Sequence, residues 1–286
     1  MEGNTGNQSE VAVVTGGNRG IGLEICRQLA SNGVTVVLTA REEKRGAEAV
    51  SILGSLGLPN VAFHQLDISD PVNNAAIDGT ISEVGNPETF RQEVAGMDLV
   101  EKIGRIRKHI REPYKQAEEC LRTNYHGTKA VTKALLPLLH SSSNGRIVNI
   151  SSRYGLLRFF SGEERKQELN DIDKLSEQRL DELSELFLRD FKDGQLAHRG
   201  WPAEGGYIAY KVSKALMNAY SRILAKEHPS LCINCVHPGF VQTDMSFQVG
   251  DLTVEEGARG ALLMALTPKG GMTGGYLNRT EVVPFI

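Results

Sequence analysis

The sequence predicts an α/β fold built on a doubly wound parallel sheet, and three observations predict it. A β-branched run, Val11 to Val14, leads straight into a glycine-rich turn, Thr15-Gly16-Gly17-Asn18-Arg19-Gly20-Ile21-Gly22. Strand-like and helix-like segments then alternate as far as Leu66. Far downstream, the stretch Tyr207 to Lys214 holds two tyrosine–lysine pairs at i,i+4, Tyr207/Lys211 and Tyr210/Lys214. On a helix each pair lies on one face.

Taken in order, Leu23 to Ala30 has helical spacing and Gly33 provides a stop. Val34 to Thr39 is the second strand, Glu42 to Leu53 a charged helix, and Val61 to Leu66 the third strand. Strand, glycine turn, helix, strand, helix, strand is the βαβαβ unit of a nucleotide-binding parallel sheet. Cys120 to Leu139 is a long helix, and Gly145 to Ile150 a strand opening into Ser151-Ser152. From Ser161 to Gly200 the residues are mostly charged, yet Leu175, Leu180, Leu183, Leu186, Phe187, Leu188 and Phe191 recur at helical intervals. That segment is too short for its own core. It is a helical insertion, over residues 155–205, in one domain spanning 1–286. Tyr210 to Lys226 is a further helix, Leu231 to Val236 a strand, His237-Pro238-Gly239 a loop and Val254 to Leu266 the last helix.

With 286 residues, 40 % of them apolar, the chain can bury a substantial core. A net charge of -3 gives no electrostatic footprint for nucleic acid or an anionic membrane. No apolar run approaches the ~20 residues of a membrane span, and Met1 to Glu10 lacks an apolar targeting core. A soluble, cytoplasmic protein is expected. Cys232 and Cys235 form a C-x-x-C, but they sit in a strand-like run with no second pair to complete a thiolate site. No metal is expected.

Gly16, Gly20 and Gly22 suit a dinucleotide. The first permits the tight turn, the second lets a pyrophosphate approach backbone N–H groups, and the third allows close helix-to-strand packing. A site for NAD usually has an acid at the end of the second strand. Here that strand ends Leu38-Thr39-Ala40-Arg41, and Arg41, helped by Arg19, suits the 2′-phosphate of NADP. A phenol with a pKa near 10 is a poor proton donor or acceptor at neutral pH unless a cation favours its ionised form. The glycine turn and the tyrosine–lysine pairs together point to a nicotinamide-dependent oxidoreductase. On spacing alone, both pairs remain open.

The joint order of these motifs resembles the short-chain dehydrogenase/reductase family over nearly the whole chain. The matching features are Thr15 to Gly22, Asp67, Asn73-Asn74-Ala75, Asn124, Ser151-Ser152, Tyr210-x-x-x-Lys214 and Pro238-Gly239-x-x-x-Thr243. The resemblance implies a Rossmann-like fold with Tyr210 as acid/base and Lys214 as its partner. Ser152 would bind the substrate carbonyl oxygen, and Asn124 support the lysine through a water. NADPH would be held by Gly16, Asn18, Arg19, Gly20, Ile21, Gly22, Arg41, Asp67, Ile68, Asn74, Pro238, Gly239 and Thr243. Within that set Asp67 would meet the adenine and Thr243 the nicotinamide end. Tyr207 is left to line the pocket or pack, and Lys211 to face solvent.

The closer likeness is to monomeric, NADPH-dependent plant carbonyl reductases. Their insertion before the catalytic tyrosine covers the face that other members use to dimerise, so a monomer is expected. Phe159, Phe160, Trp201, Met245 and Phe247 are expected to line an apolar pocket for a bulky ketone of terpenoid or alkaloid type. Two alternatives stand beside ketone reduction: reduction of an enone C=C bond on the same scaffold, and a catalytically impaired nucleotide-binding or interaction protein.

One stretch departs from the family. Only Ile68-Ser69-Asp70-Pro71-Val72 separates Asp67 from Asn73, where the family has a helix and a strand, and the motif ends Ala75-Ala76 in place of glycine. A parallel crossover needs about a dozen residues or more. The fourth strand is therefore absent, leaving a strand-wide gap in the central sheet. Unpaired backbone and lost core would cost more than a typical domain's margin of about 5–15 kcal/mol. An omitted segment is the expected explanation, ahead of a genuine deletion or splice variant, with a sheet that re-closes last.

Overall fold

The computed structural model describes residues 10–67 and 76–286. Ile68, Asn74 and the rest of the Asn73-Asn74-Ala75 motif lie outside the described residues.

The first half forms as expected. β1 (Val11–Val14), β2 (Thr35–Ala40) and β3 (Val61–Gln65) make a three-stranded parallel sheet, with β2 in the middle. α1 (Gly20–Ser31) and α2 (Glu43–Ser55) connect them. Val36 and Leu38 on β2 are fully buried among Cys26 and Leu29 of α1 and Leu53 of α2. This apolar contact is what fixes the helices on the sheet.

A small hairpin follows. β4 (Ile81–Ser82) pairs antiparallel with β5 (Ile110–Arg111), and between them lie α3 (Pro87–Glu93) and α4 (Leu99–Arg107). The helix expected from Cys120 begins earlier. It runs as α5 (Tyr114–Leu121), a π-helical stretch over Arg122–Gly127, and α6 (Thr128–Ser141).

The second sheet contains β6 (Arg146–Ile150). After it come α7 (Glu163–Asn170), α8 (Glu177–Lys192), α9 (Ile208–Glu227), β7 (Cys232–His237), α10 (Val254–Ala265), β8 (Tyr276–Asn278) and β9 (Glu281–Val282). Its order is β6-β7-β8-β9, with β6, β7 and β8 parallel and β9 antiparallel. α9 packs against one face of this sheet, and α10 crosses the other to meet α1. Helices on both faces of parallel strands make the fold Rossmann-like α/β.

α8 packs on α5 and α9 through the expected stripe, with Leu180, Leu183 and Phe187 fully buried. Trp201 joins them. Its ring lies 5.4 Å from that of Phe187, and its indole N–H donates to Asp190 at 2.8 Å. Trp201 and Phe160 are therefore core, not pocket lining: they are 0 % and 2 % exposed. Phe247 packs edge-on against Phe90, and Phe159 against Tyr154. Of the five aromatic and methionine side chains expected at the pocket, Met245 is the one on its wall.

The two sheets do not join. Among the described residues β1 is paired with β2 and β6 with β7, with no ladder between β1 and β6. Strands buried on both faces are the rule in parallel sheets. Here Val11 is 65 % and Val13 41 % exposed, and every residue of β6 is only partly buried. Among the described residues no strand pairs with the free edge of β1 or of β6.

Candidate active site

The cofactor side is built from the loop between β1 and α1. Gly16 and Gly20 adopt φ of 59° and 55°, the left-handed region that favours glycine. A Cβ on Gly22 would fall 2.3 Å from the Gly16 carbonyl oxygen, so no side chain fits there. Gly17 N–H donates to the Thr39 carbonyl at 2.9 Å, tying the loop to β2. The first turn of α1 carries no acid, which leaves its positive N-terminal end available to an anion. Asn18, Arg19, Ile21, Arg41 and Asp67 line the same cavity, as do Pro238, Gly239 and Thr243 from the far side. Arg19 is ion-paired with Asp244. Arg41 is 68 % exposed at its side chain, 3.9 Å from Glu42. This cradle of glycines, a bare helix N-terminus and two arginines fits a phosphorylated dinucleotide.

The other side of the cavity is built where β6 ends against α9. Lys214 Nζ donates to the Ile150 carbonyl at 2.7 Å, and Ser151 Oγ donates to Asn218 Oδ1 at 2.6 Å. These bonds fix the strand end, and the next residue is Ser152. Its Oγ accepts from Tyr154 N–H at 3.2 Å and lies close enough to the Tyr210 phenol to pull its pKa down. Lys214 Nζ stands 5.6 Å from the centre of the Tyr210 ring. Ser152, Tyr210 and Lys214 thus meet at one point on the cavity wall.

Electrostatics differ from the expectation that lysine lowers the phenol. Burial pushes the Tyr210 pKa up, with the Ser152 hydroxyl pulling against it. Burial also lowers Lys214 to about 8. In a pocket this dry, desolvation outweighs the nearby cation, so the chain by itself holds Tyr210 protonated.

Asn124 sits in the π-helical stretch. Its Nδ2 donates to the Ile77 carbonyl at 2.8 Å and to Ser213 Oγ at 3.0 Å, while Oδ1 accepts from Ile77 N–H at 2.9 Å. Ser213 in turn donates to the Tyr210 carbonyl at 2.9 Å. Asn124 therefore clamps the segment at Ile77 to the helix that carries Tyr210.

Tyr207 lines the pocket, stacked on Tyr154 at 5.8 Å and 24°. Lys211 does not face solvent. It is 2 % exposed; its Nζ donates to the Glu204 carbonyl at 2.6 Å and lies over the rings of Tyr154 and Phe159. The reason is that α9 is enclosed nearly all round, so helical spacing assigns it no solvent face.

Three pocket residues escaped the sequence. Tyr154 follows Ser152 by two positions, at a strand's C-terminal end where ligands of such sheets bind. Arg45 lies one helical turn from Arg41 and, like it, beside Glu42 at the cavity. Asp78 also lines the cavity; burial raises its pKa, against hydrogen bonds from Thr80. No pattern in the sequence singles it out.

A family model described as short chain dehydrogenase matches residues 10–163. A protein named short-chain dehydrogenase/reductase 1, from Saponaria officinalis, is 44 % identical over 294 residues, covering 97 % of each chain. The chain belongs to the short-chain dehydrogenase/reductase family. A family member from Arabidopsis thaliana named (+)-neomenthol dehydrogenase is 42 % identical over 298 residues, covering 96 % of this chain and 97 % of that one. Among solved structures, salutaridine reductase from Papaver somniferum superposes with a TM-score of 0.85 at 39 % identity, covering 94 % of this chain and 99 % of that one. Alignments of 294 and 298 positions exceed the 286 residues present, so both require gaps opposite this short-chain dehydrogenase/reductase.

Proposed function

We propose that the chain reduces the ketone of a bulky hydrophobic substrate, of terpenoid or alkaloid type, to a secondary alcohol with NADPH. The observation that carries this is the meeting of Ser152, Tyr210 and Lys214 on the wall of the cavity that the glycine loop also lines. The family membership supports the reading, as do relatives named for neomenthol and salutaridine.

Bound NADPH supplies the hydride to the carbonyl carbon. Gly16, Asn18, Arg19, Gly20, Ile21 and Gly22 would hold it, with Arg41, Asp67, Pro238, Gly239 and Thr243. Arg19 and Arg41 are the groups suited to a 2′-phosphate. As the substrate oxygen gains negative charge, the hydroxyls of Ser152 and Tyr210 donate hydrogen bonds to it. Tyr210 then gives up its proton to form the alcohol. Because burial keeps the phenol protonated, the chain presents the acid form that reduction needs. Lys214, fixed by Ile150, stabilises the tyrosinate that results. Asn124 acts indirectly, by holding the Ile77 segment against α9. The stacked rings of Tyr154 and Tyr207 offer an apolar wall to the substrate.

The insertion with α7 and α8 covers α5 and α9, which supports a monomer. Among the described residues no helix is long and apolar enough to cross a membrane, and we place the protein in the cytoplasm. NADPH consumption against a panel of hydrophobic ketones and enones, with product analysis, tests the function. Alcohols from ketones support it, saturated ketones from enones indicate C=C reduction, and cofactor binding without turnover overturns it.

A further inference from the structure

The C-terminal ends of β6, β7 and β8 gather positive charge that the chemistry at Ser152 does not use. β6 and β7 are in register up to Ile150 and Val236, and β7 and β8 up to His237 and Asn278. One hydrogen bond continues on each side: Ser151 N–H donates to the Val236 carbonyl at 2.7 Å, and Arg279 N–H to the His237 carbonyl at 2.8 Å. Arg279 therefore leaves β8, and Arg153 follows Ser152 out of β6, on opposite sides of His237-Pro238-Gly239. Where they leave the sheet the two chains stand two strand spacings, about 10 Å, apart, which two long guanidinium side chains can bridge onto one anion. Both residues line the cavity that Ser152 and Tyr210 line. Arg158 lies on the short helical turn Leu157–Phe159, its guanidinium 5.6 Å from the centre of the Phe159 ring. We propose that Arg153 and Arg279, with the added charge of Arg158, bind a carboxylate or phosphate group carried by the ketone substrate.

All three arginines are exposed. Exposed arginines are ordinary where a carboxylate meets them, as Glu88, Glu93 and Glu83 meet Arg91, Arg105 and Arg111. Among the described residues Arg153, Arg158 and Arg279 have no such partner. Like charges gathered at one strand end repel one another, and an anion placed among them offsets that repulsion. Their joint field is felt at His237, whose ring is kept neutral first by burial and then by these same three arginines. A guanidinium fork matches two oxygens of a carboxylate or phosphate at once.

The cofactor does not need this site. In the proposed function its phosphates go to the N-terminus of α1, Arg19 and Arg41, none of which belongs to β6, β7 or β8. Ligands of parallel sheets bind outside the C-terminal ends of the strands. There Arg153 is the neighbour of Ser152, which meets the carbonyl oxygen in the same function. Resting on that function, the site narrows the substrate to a ketone whose apolar body lies on Tyr154 and Tyr207 and carries an acidic group.

Matched ligands test the site. The full chain is assayed with NADPH on apolar cyclic ketones bearing a carboxylate, each against its methyl ester, and on cyclic keto alcohols, each against its phosphate monoester. The quantity read is the ratio of kcat/KM between the charged and the uncharged member, so a general loss of activity in a variant cancels. The parent should favour the charged member about tenfold or more, and about 0.5 M salt should erode that preference. Arg153→Gln with Arg279→Gln should bring the ratio close to unity, whereas Arg153→Lys with Arg279→Lys should keep part of it. The set with the larger ratio identifies carboxylate or phosphate as the group bound. A parent ratio near unity in both sets overturns the proposal, as does a preference that survives the glutamine variant. Calorimetric titration of the same acids and esters into the chain with NADP+ reads the site without turnover. Acid-selective binding that the glutamine variant abolishes, with no ketone reduced, sinks the reductase function and keeps the anion site. No turnover together with no acid-selective binding sinks both.

Discussion

The Nζ of Lys214 donates to the carbonyl of Ile150 at 2.7 Å, so the middle of α9 is tied to the last residue of the strand that leads to Ser152. Of the two equally spaced tyrosine–lysine pairs, that bond sets Tyr210/Lys214 against the strand end at Ser152. Tyr210 is presented beside Ser152, whereas Lys211 is drawn back onto the Glu204 carbonyl and Tyr207 onto Tyr154. Tyr210→Phe should lower kcat about 10²–10⁴-fold, the usual contribution of a positioned acid/base. Tyr207→Phe keeps its ring stack and should stay within about tenfold of the parent, since it loses no proton donor. Steady-state NADPH consumption by the two variants, each checked for an unchanged circular dichroism spectrum, measures this. The reverse ranking sinks the assignment.

The buried ammonium makes a pH prediction with two opposite signs. Burial lowers Lys214 to about 8, and burial with the nearby Arg107 lowers Lys211 to about 8. Above that pH the folded protein loses the charge that supports the tyrosinate, so kcat/KM for reduction should fall with an apparent pKa near 8. Stability moves the other way. The unfolded lysines hold their protons up to about 10.4, so between the two values the unfolded chain binds more protons, and stability rises with pH. Paired pH profiles of kcat/KM and of urea midpoints test both signs. Lys214→Arg, which stays charged, should lose the alkaline fall in kcat/KM whatever its absolute rate.

Local chemistry was legible in the sequence and enclosure was not. The Gly16–Gly22 loop, the strand ending at Ser152 and the Leu180–Phe187 stripe each follow from short-range rules, and each forms as expected. The lack of a ladder between β1 and β6 among the described residues is in keeping with the short crossover, because crossover length is a chain property. Lys211, Phe160 and Trp201 were misplaced because their surroundings come from distant segments. The loop at Glu204 and the helix α8 enclose them, and neither spacing nor composition encodes that contact. The rise in the Tyr210 pKa, against the lowering expected from Lys214, escapes the sequence for the same reason: a phenol's pKa depends on how dry its pocket is.

In the proposed reading Arg41 and Arg19 set the cofactor choice, and Arg19 is already engaged with Asp244. Arg41→Ala should raise KM for NADPH about ten- to hundredfold, as expected for a charge-assisted bond of about 1.5–3 kcal/mol, and leave KM for NADH nearly unchanged. Asp244→Asn releases Arg19 and should lower KM for NADPH modestly. Thermal stability should not shift in that variant, because both partners are more than 60 % exposed and such pairs contribute little. Equal effects on both cofactors would show that these arginines do not read the 2′-phosphate.

Acid sensitivity should trace to His237, which lies where β7 ends at the cavity. Burial, reinforced by Arg153, Arg158 and Arg279, lowers its pKa from 6.5 to about 4. The neutral ring is also the useful one, since its Nδ1 accepts from Gly239 N–H at 3.4 Å, next to Pro238. The sign follows from the lowered value. Above 6.5 the ring is neutral folded or unfolded; as pH falls toward 4, the unfolded chain takes up the proton first. Stability contributed by the neutral ring is therefore lost across that window, on the order of 3 kcal/mol. His237→Gln keeps an acceptor and removes the titration. Its urea midpoint should fall less between pH 7 and pH 4.5 than that of the parent, and parallel declines would show that another group controls acid unfolding.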